Sequence, residues 1–267
     1  MLFSKMRYIE IALEYKDNKL INEFVKSIPV IFDNKGIALY DKRNIIKSFS
    51  INSLDIPFQK LVVKKFKSPN LFQSIAYSFF RSSKAVRAFN NATELRKRKI
   101  NTPQEIAYIE EYQNKLLKSS YVITGFTDGQ PIRDFFLQSE GFNPIVAEEF
   151  ARFAVELHRK GILHHDLNST NVLYHQSEQG NYFSVIDINR MEFKSSREEL
   201  SPAECFDNLT RFTGLMELFE YVLRHYIKYR DWNADLLEDA IQIKKNHDKQ
   251  WARKKAFFNN LKKIHHV

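Results

Sequence analysis

The chain has 267 residues, 43% hydrophobic and 14% aromatic, and 41 Lys and Arg against 32 Asp and Glu give a formal net charge of +9. This composition excludes a disordered chain, and the single cysteine, Cys205, excludes an intramolecular disulfide framework or a cysteine-rich zinc site. Only seven glycines are present and no pair spells GxGxxG or GxxxxGK, which excludes a P-loop, a Rossmann fingerprint and a glycine-rich kinase loop of the usual form.

The positive charge favours anionic partners: phosphate compounds, nucleic acid or an anionic membrane surface. Lys5, Arg7 and Glu10 interrupt the N-terminal region, so no signal-peptide apolar segment is expected. No apolar run approaches a membrane-spanning length, and the lone cysteine suits a reducing cytoplasm. Residues 24–32, the turn 33–36 and residues 37–40 read as strand, turn and strand. A second turn at 41–44 leads to a strand over 45–51, and the β-branched stretch 61–66 makes another, so an antiparallel meander is predicted. Residues 71–98 have helical spacing (Leu71, Ile75, Phe79, then Val86, Phe89, Leu95), with Ser82 or Ser83 able to cap the second part. Residues 106–110 and 120–124 are strand-like again. The turn-rich stretch 125–131 divides the chain into an N-terminal lobe, 1–124, and a C-terminal lobe, 125–267. Helices are then predicted over 144–160, 204–229 and 234–258.

Residues 161–193 carry the chemistry. His164, Asp166 and Asn171 spell H-x-D-x-x-x-x-N, and after a turn at Gly180-Asn181 an apolar run delivers Asp187. Phosphoryl transfer needs this set: a carboxylate beside the acceptor hydroxyl, and a second carboxylate with an amide oxygen to hold Mg²⁺ on the nucleotide phosphates. Asp166 fits the base, and Asn171 and Asp187 fit the metal ligands. A turn cap is the ordinary alternative for an isolated Asp and Asn.

The pattern resembles the protein-kinase-like superfamily, with Asp187-Ile188-Asn189 in place of D-F-G and Val62-Val63-Lys64 in place of V-A-I-K. The resemblance implies that Lys64 grips phosphates. A nearer resemblance is to the bacterial lipopolysaccharide core kinases, the Kdo/heptose (WaaP-like) family. It rests on Lys160-Gly161-Ile162-Leu163-His164-His165-Asp166-Leu167, Ile186-Asp187-Ile188-Asn189-Arg190, Phe80-Arg81-Ser82-Ser83-Lys84-Ala85 and Ile100-Asn101-Thr102-Pro103. Membership implies an α+β, two-lobed kinase-like fold and ATP- and Mg²⁺-dependent phosphorylation of an inner-core sugar hydroxyl, Kdo or heptose, at the cytoplasmic membrane face. Adenine is then expected at the backbone of Gly125 and Phe126.

The sequence departs from the family in places. Asn189 stands where a second Asp is common, and no helix Glu is obvious as the partner of Lys64; Glu94 is the candidate. Strand alternation sends Lys64 and Lys65 to opposite faces. Arg190 and Arg43 are candidates for a substrate carboxylate or phosphate, and His158 and His164 for packing and loop orientation. Two basic runs, 81–99 with seven cations against Glu94 and 241–267 with eight against Asp248, fit either solvated helix faces or an anionic surface. Trp251, Phe257 and Phe258 in the second run suit an interfacial helix touching anionic lipid or the lipopolysaccharide acceptor. No base-reading motif is present, so nucleic acid is not expected. Two other readings stay open: a different small-molecule or protein kinase of the same fold, and a membrane-associated pseudokinase.

Overall fold

The computed structural model describes residues 4–264 apart from 52, 54, 196 and 197, with side chains as far as residue 257. The chain forms two compact units, one of Met1–Gly129 with Ser184–Arg190, the other of Gln130–Phe183 with Met191–Val267. The units are thus not continuous in sequence, as lobes of 1–124 and 125–267 would be. The Asn101-Thr102 motif supplies the reason. The Val185 N–H donates to the Asn101 carbonyl at 3.0 Å, and the Thr102 hydroxyl donates to the Val185 carbonyl at 2.8 Å, which fastens the late segment to the first unit.

In the first unit, among the described residues, the strands are β1 (Lys5–Ile11), β2 (Ile37–Asp41), β3 (Ile45–Ser50), β4 (Lys60–Lys65), β5 (Glu105–Gln113) and β6 (Leu116–Gly125). They form one sheet in the order β1-β5-β6-β4-β3-β2 with antiparallel neighbours. The meander β2-β3-β4 follows the sequence expectation. β1 was not distinguished in the sequence: it is an edge strand of mostly exposed residues, and the adjacent Tyr8 and Ile9 break the alternation of its charged and apolar residues.

Residues 24–32 are not a strand. They belong to helix α1 (Lys19–Ile31), which starts where the Asn18 side chain accepts the Ile21 N–H at 3.0 Å. Ile21, Val25 and Ile28, spaced for one helical face, are fully buried, and that burial overrides the strand bias of the β-branched residues. Pro29 removes one helical N–H without ending the helix. The 71–98 stretch is two helices, α2 (Leu71–Phe79) and α3 (Lys84–Lys97). The break at 80–83 lets Ser83 cap α3 by accepting the Val86 N–H at 3.3 Å.

The second unit contains β7 (Gln130–Pro131), α4 (Arg133–Phe136), α5 (Pro144–Arg159), β8 (Ile162–Leu163), β9 (Val172–His175), the start of β10 (Tyr182–Val185), β11 (Glu192–Phe193), α6 (Pro202–Leu209), α7 (Met216–Tyr229) and α8 (Leu236–Ile264). The predicted helix over 204–229 is therefore split into α6 and α7. Phe212 in the break between them turns into the core, where its ring lies 5.0 Å from Phe150, 6.0 Å from Phe136 and 5.8 Å from Phe219. Each of these rings is essentially fully buried, worth roughly 2 kcal/mol apiece relative to exposure. Among the described residues no helix is long and apolar enough to cross a membrane.

His158 on α5 is a packing residue, as expected. It is 2% exposed, and its Nδ1 lies 2.8 Å from the Tyr226 hydroxyl. In the orientation that satisfies all its partners, the Asn208 amide donates to His158 Nε2 at 3.1 Å, while its oxygen accepts the His164 and His165 N–H groups at 3.2 and 3.0 Å. Burial pushes the His158 pKa down to about 4. The unfolded chain protonates this histidine as pH falls through about 6.5, whereas the folded chain does so only near 4. Its contribution is therefore complete above pH 6.5 and falls by roughly 3 kcal/mol on acidification to pH 4. Urea titrations between pH 7 and 4.5 should show this slope in wild type and a shallower one in His158→Gln.

Candidate active site

Two groups of predicted residues form, one in each unit. In the first unit the Lys64 ammonium donates to Asp187 Oδ1 at 2.8 Å. Lys64 and Lys65 diverge as strand alternation requires, and Lys65 turns to Asp33 at 2.9 Å. Lys64 is mostly shielded, its side chain 16% exposed. Asn189 donates its amide to the same Asp187 oxygen at 2.7 Å. The residue that departs from the family's second Asp thus holds the first one in place. Asp187 has φ of +56°, a left-handed conformation that Asp and Asn tolerate better than most side chains.

Glu94 does not meet Lys64. Its carboxylate takes Arg98 Nε at 2.8 Å, one turn further along α3. The i,i+4 pair on one helix forms without ordering any other element. α3 instead grips the segment after Asp187 through two side chains the sequence did not single out. Asn91 donates to the Ile188 carbonyl at 2.7 Å, and Arg87 donates to the Asn189 carbonyl at 2.8 Å. Lys84, also on α3, has its pKa lowered by burial and then by the positive charges of Arg43, Arg190 and Arg87, with Asp187 opposing. Arg43 and Arg190, both flagged in the sequence, therefore join Arg87 and Asp187 among the charged groups near Lys84. Such a group of cations can neutralise a polyanion.

In the second unit, residues 164–171 form a tight loop. His165 has φ of +56°, and its Nε2 lies 3.0 Å from the Glu192 carboxylate. Leu167 is fully buried and anchors the loop. Asn168 accepts the Thr170 N–H at 2.9 Å, and Asn171 donates its amide nitrogen to the Asp166 carbonyl at 2.9 Å. Asp166 itself is half-buried and faces Arg211, whose Nη1 lies 3.5 Å from Oδ1. Arg211 was not found in the sequence, because it sits in the break that the single-helix reading of 204–229 concealed.

The chemistry of the donors fits Mg²⁺. In the first unit Asp187 offers a carboxylate; in the second, with its nitrogen committed to the Asp166 carbonyl, the Asn171 side chain has its amide oxygen to offer; each by itself is a hard ligand. The adenine expectation needs revision in detail. The Gly125 N–H donates to the Gln104 carbonyl at 2.9 Å and the Phe126 N–H to the Lys60 carbonyl at 3.1 Å, because β6 continues pairing to its end. Neither N–H is available to a base. Gly125 has a packing role too: a Cβ there would stand 2.4 Å from the Phe58 ring.

A model of the lipopolysaccharide kinase (Kdo/WaaP) family matches residues 42–235, which include every predicted catalytic and metal-binding position. The chain belongs to this family. It is a kinase, a phosphotransferase acting on a sugar hydroxyl. Among solved structures it is similar to WaaP in complex with acyl carrier protein, with a TM-score of 0.58 and 15% identity over 93% of this chain and 98% of that one. At that identity the likeness shows the fold, which is protein-kinase-like. The Rio2 kinase–ADP/Mg²⁺–phosphoaspartate complex from Chaetomium thermophilum is matched at a TM-score of 0.43 and 13% identity over 90% of this chain and 82% of that one. No curated protein sequence matches the chain. Within this lipopolysaccharide kinase, the matched span takes in Arg87, Asn91 and Arg211, the three residues whose contacts only the structure distinguished, together with Lys84 of the 80–85 motif.

Proposed function

We propose that this lipopolysaccharide kinase transfers the γ-phosphoryl group of ATP to a hydroxyl of an inner-core Kdo or heptose, working at the cytoplasmic face of an anionic membrane. The observation that carries the reading is Asp187, a carboxylate held by Lys64 and Asn189, whose charge also acts on Lys84 together with those of Arg43, Arg87 and Arg190. Lys64 releases Asp187 to grip nucleotide phosphates, and the Gly125–Phe126 segment supports the adenine through groups other than its two committed N–H donors. Asp187 and the Asn171 amide oxygen hold Mg²⁺, which when bound neutralises phosphate charge. Asp166 accepts the proton of the sugar hydroxyl, and Arg211 keeps its carboxylate oriented. Arg190 is exposed and suits the carboxylate of a Kdo sugar, which a guanidinium meets bidentately. Trp251 and Phe257, exposed among Lys249, Arg253, Lys254 and Lys255 on α8, suit an anionic surface. Phe258, Lys262 and Lys263 of the same basic run lie outside the described side chains.

The test is transfer of labelled phosphate from ATP to intact and deacylated lipopolysaccharide isolated from a strain lacking this protein. Label is expected on one inner-core fragment, with a mass increase of one phosphate. Label on protein or on another small molecule alone would favour the other kinase readings, and no Mg²⁺·ATP-dependent turnover at all would leave the pseudokinase.

A further inference from the structure

Helix α2 is packed with its polar face inward. Ser74 is 5% exposed and donates its hydroxyl to the Leu117 carbonyl on β6 at 2.6 Å. The Ser78 hydroxyl accepts the Leu117 N–H at 2.9 Å and donates to the Ser74 carbonyl at 2.6 Å. Phe72, Ile75 and Phe79 recur at i, i+3 and i+7 on an adjoining face and stand in solvent, with Leu71 and the cap residue Phe80 exposed beside them. Phe72 is 84% exposed, Leu71 64%, Phe79 60% and the adjoining Phe80 84%, with Ile75 between them at 38%. Single exposed apolar residues are ordinary, but five on one nine-residue helix and its cap form a contiguous patch that marks an interaction surface. The helix does not need these side chains to fold. A capping box of Asn70 and Gln73 starts it, and the two serines fix it to the sheet.

The chemistry around the patch indicates its occupant. Residues 56–93 contain seven Lys and Arg and not one Asp or Glu. Lys67 lies exposed just before α2 and Arg81 exposed just after it. Protruding aromatics bracketed by cations, on a stretch of chain with no acid of its own, are what an interfacial helix presents to anionic lipid. We propose that the Leu71–Phe80 face of α2 inserts into the headgroup region of an anionic bilayer, with Lys67 and Arg81 against lipid phosphates. This gives the membrane reading above a specific element, and it stands apart from the assignment of the acceptor sugar.

Co-sedimentation of the full chain with vesicles separates the possibilities. Wild type is expected to sediment with vesicles of phosphatidylglycerol and phosphatidylcholine and much less with phosphatidylcholine alone. The double variant Phe72→Ser/Phe79→Ser should sediment about tenfold less, and Arg81→Glu should weaken binding chiefly at low salt. Both variants replace exposed side chains, so their melting temperatures should match wild type, and both should phosphorylate a deacylated, soluble acceptor at the wild-type rate. Wild type remaining in the supernatant with anionic vesicles overturns the proposal and points to an acidic protein surface as the occupant. So does a double variant that is folded and sediments as well as wild type. Because the vesicle assay needs no turnover, its outcome is independent of whether the transfer assay identifies a sugar acceptor.

Discussion

Asp187→Asn is expected to lower kcat by roughly 10³-fold while leaving the thermal midpoint close to that of wild type. Asn accepts the +56° backbone and the Lys64 hydrogen bond, so the fold around residue 187 persists. What it removes is the charge that would hold a cation and balance the nucleotide phosphates. Asp187→Ala should be equally inactive and also less stable. Alanine at that φ costs about 1 kcal/mol, and a half-buried Lys64 loses its partner, for about 1 kcal/mol more. Labelled phosphate transfer with saturating acceptor, alongside thermal melts of both variants, checks the two effects separately. Asp187→Asn turning over at more than about a tenth of the wild-type rate would remove Asp187 from the metal site.

Asp166→Asn should lower kcat by about 10²- to 10⁴-fold, the range of a general base, with little change in the KM for ATP. The substitution keeps the size of the side chain and leaves the loop's other bonds, Asn168 to Thr170 and Asn171 to the residue 166 carbonyl, in place. Arg211→Ala acts on the same carboxylate at one remove. It should reduce turnover by about tenfold or less, because it frees the orientation of Asp166 without removing the base. Near-normal turnover of Asp166→Asn in single-turnover experiments, with the fold intact by circular dichroism, would eliminate it as the base.

Both variants probe residues that were legible in the sequence, and the reason is their spacing. His164, Asp166 and Asn171 lie within one short loop, which chain connectivity alone keeps together, and Asp187 follows directly on the apolar strand β10. The partners were not legible. Glu94 was the natural candidate for Lys64 as the acid on α3, but Arg98 four residues on captures it. Asn91 and Arg87 carry no signature, since an amide and a guanidinium on a basic helix read as solvated surface. Their bonds to the Ile188 and Asn189 carbonyls exist only because the late segment returns to the first unit.

The seven glycines also take on a narrower meaning. Their scarcity excludes a glycine-rich phosphate loop, and cations such as Lys64 and Lys84 are the groups that would replace its backbone donors. The positive charge of the chain, diffuse in composition, is dense along 56–93, a stretch with no acid of its own, where Lys64 and Lys65 pair with acids from elsewhere in the chain.

The sequence alone determined the β2-β3-β4 meander, the strand position of Lys64, the helix over 144–160 and the loop that carries Asp166 and Asn171. These follow from turn chemistry, alternation and local spacing, which act over a few residues. Tertiary structure decided that 24–32 is helical, that Lys64 pairs with Asp187, that Arg211 faces Asp166 and that α2 turns its serines inward and its phenylalanines out. In each case the deciding energy is a contact between residues far apart in the chain. A sequence pattern records which faces are apolar, but only the packed sheet determines which face of a helix finds a partner.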